Sequence, residues 1–67
     1  MSPSSHIPSE SAGSRVRARR EWLGLSVEEL AMAAGLEALQ LEAYEAGAAV
    51  IPSRLLRLLS DLLEAPL

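Results

Sequence analysis

"SVEELAMAAGLEALQLEAYEAG", residues 26–47, contains two short helical patterns separated by one glycine. Ser26 and Glu29 have the spacing of a capping box, in which each side chain bonds to the backbone N–H of the other at the start of a helix. Gly35 suits the left-handed conformation that ends a helix, and Gly47 repeats that signal at the end of the stretch. The stretch therefore predicts two helices joined by a tight turn.

The apolar residues of this stretch recur at helical spacing. On the first helix, Leu30, Ala31 and Ala34 form a narrow inner face. On the second helix, predicted over about residues 37–46, Leu41 continues a stripe of the type that is buried against the rest of a domain. The other members of that stripe are Ala38 and Tyr44.

A third helix is predicted before this stretch and a fourth after it. The earlier one runs from residue 11 or 14 to residue 23, with Val16, Arg20 and Leu23 on one face. The later one opens at Pro52 or Ser53, because proline suits the first turn of a helix. Its leucines stand at positions 55, 56, 58, 59, 62 and 63, a stripe wider than one core face needs. No strand pattern occurs, so the predicted fold class is all-α with four helices.

Composition limits the class of protein. The chain has 67 residues, no cysteine and a net charge of −3, which predicts one small domain without disulfides or thiolate metal sites. Residues 1–10 are rich in serine and proline and predict a disordered tail, with the domain over residues 11–67; we assign no metal-binding role to His6 in that tail. We expect no cofactor, metal or small-molecule ligand, and a cytoplasmic protein without a membrane segment.

The charges are distributed unevenly along the chain. Four of the six arginines lie in "RVRARR", residues 15–20, and the others are Arg54 and Arg57. From Glu21 to Ser53 there are six glutamates and no basic residue. A protein that binds duplex DNA normally presents a basic face, because neutralised phosphates supply much of its affinity. The middle of this chain has the opposite character.

Three segments of the chain resemble the Cro and phage-repressor family, often called the XRE type. They are "RVRARREWLGLSVEELAMAAGL", "YEAG" and "IPSRLLRLLSDLL", and together they span most of residues 14–64. The resemblance implies a lambda-repressor-like domain, shortened from five helices to four, with a helix-turn-helix over about residues 26–45 and a role in transcription regulation. It also implies a structural ion pair between Arg20 and Glu45, which match an arginine and a glutamate that pair in the family.

The base-reading positions of the family carry unusual residues in this chain. Relatives place polar or basic side chains at the start of the first helix of the motif and on the outer face of the second. The matching positions here are mainly apolar or acidic, and Gln40 is the only amide among them. The candidate DNA contacts are therefore few and weak, and they are Arg15, Arg17, Arg19, Val27, Ala38, Gln40 and Glu42.

Two features of the first helix leave alternatives open. The arginine cluster is a phosphate clamp, a solvated face or a brace between helices. Trp22, the only tryptophan, lies beside the core stripe. It is either a partly buried packing residue, the commoner case, or an anchor in a protein interface.

Apolar residues at positions expected to be polar indicate a protein partner. Leu39 and Ala43 lie on the outer face of the second helix of the motif. Relatives usually add a fifth helix over the fourth, and the sequence ends at Leu67, so some leucines of the fourth helix are expected to be open to water. The predicted partner contacts are Trp22, Leu39, Ala43, Leu56, Leu59 and Leu63.

Two function hypotheses follow. In the first, the chain is a small regulator whose helix-turn-helix acts through protein contacts, either as a homodimer or with a heterologous partner such as a DNA-binding relative. In the second, it is an operator-specific DNA-binding repressor that uses Gln40 and the arginines. No catalytic constellation is present, so an enzyme is not expected.

Overall fold

This computed structural model describes residues 11–67 of the chain, and that part contains four helices. They are α1 (Ala12–Trp22), α2 (Val27–Ala34), α3 (Ala38–Glu45) and α4 (Ser53–Leu63). No strand occurs within residues 11–67, so the all-α prediction is confirmed. The predicted tail and His6 lie outside the described residues.

Local hydrogen bonds explain where the first two helices begin. The Ser11 hydroxyl caps α1 by accepting from the Ser14 N–H at 3.2 Å. At α2 the capping box is complete, because the Ser26 hydroxyl accepts from the Glu29 N–H at 3.0 Å and the Glu29 carboxylate accepts from the Ser26 N–H at 2.7 Å. Glu37, before α3, makes no such side-chain bond. The start of α3 therefore has no side-chain cap of the kind found at α1 and α2.

The turn between α2 and α3 follows from the end of α2. Gly35 has a φ of 74°, and its N–H bonds to the carbonyl of Met32 at 3.2 Å. The next N–H, of Leu36, reaches back to the Ala31 carbonyl at 2.8 Å. These two bonds make a Schellman motif, which satisfies the last carbonyls of α2 and turns the chain sharply into α3. Glu64, with a φ of 54°, ends α4 in the same conformation without being a glycine.

The core lies where α1 and α2 each pack against both α3 and α4. Every helix contributes to it, and its fully buried members are Val16, Leu30, Ala31, Leu41, Leu59 and Leu63. The predicted inner face of α2 is observed, with Ala34 half-buried against the core. Of the stripe predicted on α3, only Leu41 is buried, whereas Ala38 and Tyr44 are half-buried. On α1 the predicted face is observed at Val16 and Arg20, whereas Leu23 follows the helix and is exposed over more than a third of its surface.

The prediction that leucines of α4 remain open for a partner is wrong for Leu59 and Leu63. Both side chains are completely buried within the chain itself. α4 packs against α1 and α2, and this contact turns the centre of the leucine stripe inward. Leu56 and Leu67 are half-buried against the same core. The extra width of the stripe is instead accounted for by Leu58 and Leu62, which lie on its outer, solvent-facing edge.

Gly13 allows α1 to approach the end of α3 closely. This glycine is buried, and a Cβ atom at its position would overlap the carbonyl oxygen of Tyr44. It would also lie 3.0 Å from the Tyr44 carbonyl carbon and 3.3 Å from the Glu45 Cα. A side chain at this position would therefore push the two helices apart. Sequence reasoning missed this residue, because nothing near it in the chain indicates the contact.

Candidate functional site: the outer face of the helix-turn-helix

A buried ion pair holds α3 against α1. Arg20 Nε donates to Glu45 Oε2 at 2.7 Å and Arg20 Nη2 donates to Oε1 at 3.0 Å. Arg20 Nη1 donates to the Leu25 carbonyl at 2.9 Å, so the same guanidinium also ties down the loop before α2. The two side chains are 9% and 6% exposed. These residues occupy the positions that the family resemblance assigned to a structural pair.

The electrostatics of the pair favour the charged guanidinium. The hydrogen bonds to Glu45 raise the pKa of Arg20, and the attraction of the Glu45 charge adds to them, while burial acts in the opposite direction. Arg20 therefore stays ionised throughout the range in which proteins are stable. Its donors are satisfied inside the fold, which makes it a structural residue and not a group that is available to DNA.

The outer face of α3 is apolar and acidic. Leu39 is 77% exposed, and Gln40, Glu42 and Ala46 are also exposed. Ala43 is half-buried, as is Ala38 at the first position of the helix. Of these residues, Gln40 alone presents an amide able to pair with a base edge. Two α3 candidates for DNA contact, Gln40 and Glu42, are thus exposed on the same helix as the partner candidate Leu39.

Two further apolar side chains are exposed outside α3. Met32 on α2 is 81% exposed, and Val50 in the connector before α4 is 90% exposed. Sequence reasoning missed both as surface residues, although Met32 does stand outside the inner-face spacing of Leu30 and Ala34. Val27, a candidate DNA contact, is half-buried and packs against the core, so its side chain is only partly available.

The arginines of α1 bond within the chain. Arg19 Nε donates to the Leu63 carbonyl at 2.9 Å and its Nη2 donates to the Glu64 carbonyl at 3.4 Å. Arg15 Nη1 donates to the Leu67 carbonyl at 3.3 Å, and Arg17 Nε pairs with Glu21 Oε2 at 3.2 Å. Carbonyls at the C-terminus of a helix carry partial negative charge, so they attract a guanidinium. This geometry supports bracing as the use of Arg19 and Arg15, and Arg17 pairs on a solvated surface.

Trp22 is 73% exposed at the end of α1. The commoner expectation, a partly buried packing residue, is therefore wrong. Its ring lies against the guanidinium of Arg19, whose central carbon is 4.6 Å from the ring centroid. This cation–π contact orients the ring without burying it.

Two other features do not occur among residues 11–67. No group of three or more metal-ligating side chains occurs there. No helix among these residues is long and apolar enough to span a membrane.

Comparison with protein families agrees with this geometry. A family model described as a helix-turn-helix domain matches residues 11–67, which is the whole described part of the chain. The match is consistent with the resemblance to Cro and phage repressors, and the family is typically a non-enzymatic regulator domain associated with transcription regulation or DNA binding. Searches of curated proteins and of solved structures find no significant match. On the family match, the chain belongs to the helix-turn-helix domain family.

Proposed function

We propose that this domain regulates transcription through protein contacts made by the outer face of α3, and not by reading DNA itself. The observation that carries the proposal is the chemistry of that face. Its exposed members include Leu39 and Glu42, and no basic residue occurs from Glu21 to Ser53. A helix placed in the major groove with these side chains has little to pair with base edges or phosphates.

The electrostatic balance supports the proposal. Specific and non-specific DNA binding both draw on arginines and lysines that neutralise phosphates. The arginines of α1 use several of their donors on helix ends or carboxylates of the same chain, which leaves fewer for a row of phosphates. Arg54 and Arg57 are exposed, but they lie on α4, outside the two helices of the motif. The glutamates exposed on or beside α2 and α3, which would repel a polyanion, are Glu28, Glu29, Glu37 and Glu42.

The apolar part of the surface favours a protein partner. A single exposed leucine is ordinary, but Leu39 is accompanied by Ala43 on α3 and by Ala46 directly after the helix. These small residues leave room for another chain to approach the helix closely. Burial of a leucine side chain contributes on the order of 2 kcal/mol, which makes Leu39 the natural anchor of the contact.

A DNA titration with a gain-of-charge variant tests this proposal. The unmodified chain is expected not to bind mixed duplex DNA at about 150 mM salt, where non-specific binders show dissociation constants of about 10⁻⁴ to 10⁻⁶ M. The double variant Leu39→Lys/Ala43→Lys places two cations on the outer face and should gain salt-dependent binding. The control Ala18→Lys/Asp61→Asn raises the net charge by the same amount as the double variant, at exposed positions on α1 and α4. It should gain little affinity for DNA. Fluorescence anisotropy of a labelled duplex measures all three.

The second candidate function is an operator-specific repressor. The intact helix-turn-helix frame and the exposure of Gln40 favour it. Selection of a preferred duplex from a random pool by the unmodified chain would distinguish the two. A dissociation constant below about 10⁻⁷ M for a defined duplex, falling steeply with salt, would replace the protein-contact proposal with this one.

A further inference from the structure

One face of α1 carries a stripe that the proposed function does not use. Its members are Arg15, Ala18, Arg19 and Trp22, at the i, i+3, i+4 and i+7 spacing of a single helix face. Together they line a shallow depression on the surface. Ala18 and Trp22 are exposed, and Arg19 is held in place by the carbonyls at the end of α4. We refer to these four residues as the α1 stripe.

The outer face of α3 carries a stripe with the same spacing and complementary chemistry. Its members are Leu39, Glu42, Ala43 and Ala46, and we refer to them as the α3 stripe. Leu39 is the large apolar member and Glu42 the charged one. Within residues 11–67, Glu42 makes no ion pair, whereas the Arg17 and Arg20 guanidiniums pair with Glu21 and Glu45.

We propose that the α1 stripe of one molecule docks antiparallel on the α3 stripe of a second copy of this chain. When the two stripes are aligned antiparallel, Trp22 lies beside Leu39 and Arg19 lies beside Glu42. This alignment also places Ala18 beside Ala43, and Arg15 beside Ala46. Each large apolar side chain meets the other, the charges are opposite, and the two central alanines allow the helix axes to approach to about 8 Å.

The opposite orientation is much less complementary. In a parallel alignment Trp22 meets Ala46, Leu39 meets Arg15, and Glu42 meets Ala18. The two exposed anchors, which are 73% and 77% exposed, are then separated, and the charged pair at the centre is lost. The antiparallel arrangement therefore provides both the apolar burial and the electrostatic register.

The orientation of the α1 stripe is set before binding. Arg19 donates to Leu63 and Glu64 carbonyls while its guanidinium lies 4.6 Å from the centre of the Trp22 ring. Both side chains therefore lose little conformational freedom on docking, which lowers the cost of association. This inference rests on the proposed function in one respect, since both place a protein contact on the outer face of α3. It adds that the partner at that face is a second copy of this chain.

Sedimentation equilibrium of the full chain tests the proposal. From about 1 µM to about 1 mM the mean mass should rise above the 7.2 kDa of one chain, because a contact between two single helix faces is small and of moderate affinity. Trp22→Glu and Leu39→Glu should each weaken association at least about thirtyfold, the loss typical of removing an interface anchor. Met32→Glu introduces the same charge at an equally exposed apolar position outside both stripes, and it should leave association unchanged.

A mixing experiment separates this arrangement from any other dimer. Trp22→Glu keeps an intact α3 stripe, and Leu39→Glu keeps an intact α1 stripe. Neither variant should associate alone, but an equimolar mixture should form a one-to-one pair. In that mixture the tryptophan of the Leu39→Glu chain should become less accessible to acrylamide quenching. Circular dichroism of each variant alone verifies that it is folded.

A chain that stays at 7.2 kDa up to about 1 mM overturns the inference, as does a mixture that fails to pair. Association that survives Trp22→Glu also overturns it, because the contact must then lie elsewhere. None of these outcomes decides the proposed function, which is judged by the DNA titration. Conversely, operator binding would refute the proposed function and leave the mass measurements to decide self-association.

Discussion

The ion pair between Arg20 and Glu45 is the contact whose loss should damage the fold most clearly. The charged groups are joined by two hydrogen bonds of 2.7 and 3.0 Å, and both side chains are less than a tenth exposed. Removing one partner leaves the other charge buried without compensation, which costs about 3–5 kcal/mol. We therefore expect Glu45→Gln and Arg20→Met each to lower the free energy of unfolding by about 3 kcal/mol. Without the pair, α3 should also be held less tightly against α1.

The double variant distinguishes a charge penalty from lost packing. In Arg20→Met/Glu45→Met neither charge is left buried alone, so we expect the double variant to be more stable than either single one. A domain of this size has only about 5 kcal/mol of stability. The series is therefore best measured by urea unfolding, followed by circular dichroism near pH 7, in a stabilised background. Because Arg20 has a raised pKa, its contribution is lost only at strongly alkaline pH, and near neutrality the measurement reports the charged guanidinium.

The exposed pair between Arg17 and Glu21 provides the matched control. Its side chains are more than half exposed at an i, i+4 spacing, so Glu21→Gln should change the free energy of unfolding by under about 0.5 kcal/mol. Losses below about 1 kcal/mol for both single variants of the buried pair would refute the reasoning. So would strictly additive effects in the double variant, since additivity means that the two groups do not interact.

Four further substitutions test the packing of the domain. Gly13→Ala should lower the midpoint of thermal unfolding and cost about 2 kcal/mol, because the new methyl group overlaps the Tyr44 carbonyl; an unchanged midpoint would mean that the helices are not in close contact. Glu64→Gly should add about 1 kcal/mol in urea unfolding by removing a left-handed non-glycine residue, and a loss would contradict this. Arg19→Met should cost about 1–2 kcal/mol and speed hydrogen exchange at the end of α4, whereas uniform exchange would argue against bracing. Ser26→Ala should cost about 1 kcal/mol in differential scanning calorimetry, and no change would exclude the capping box as a contributor.

Features that depend on neighbouring residues were predictable from the sequence. The capping box at Ser26 and the left-handed turn at Gly35 involve partners within a few positions, so their residue types and spacing indicate the conformation. Helix boundaries in residues 11–67 agree with the predictions to within about one or two residues, the usual margin at frayed ends. The family resemblance also indicated the Arg20–Glu45 pair, which local patterns alone do not reveal because the residues lie on different helices.

The composition of the candidate site was also predictable, but its exposure was only partly so. The absence of basic residues from Glu21 to Ser53 can be counted in the sequence. Leu39 was expected on the outer face, and it is exposed. Met32 and Val50 were not anticipated as surface residues, and Trp22 is more exposed than its size suggested. Exposure depends on which elements cover a residue, and a single helix pattern does not contain that information.

The sequence by itself determined the four helices, the sharp turn between α2 and α3, and the acidic and apolar character of the motif, because each depends on residue types at short separations. Only the tertiary structure decided that Leu59 and Leu63 face inward and that Arg19 braces the end of α4. It also decided that Gly13 lies against the end of α3. The physical reason is the same in each case: the rotation of a helix about its axis, and the acceptor that a long side chain reaches, are set by packing against elements distant in the chain.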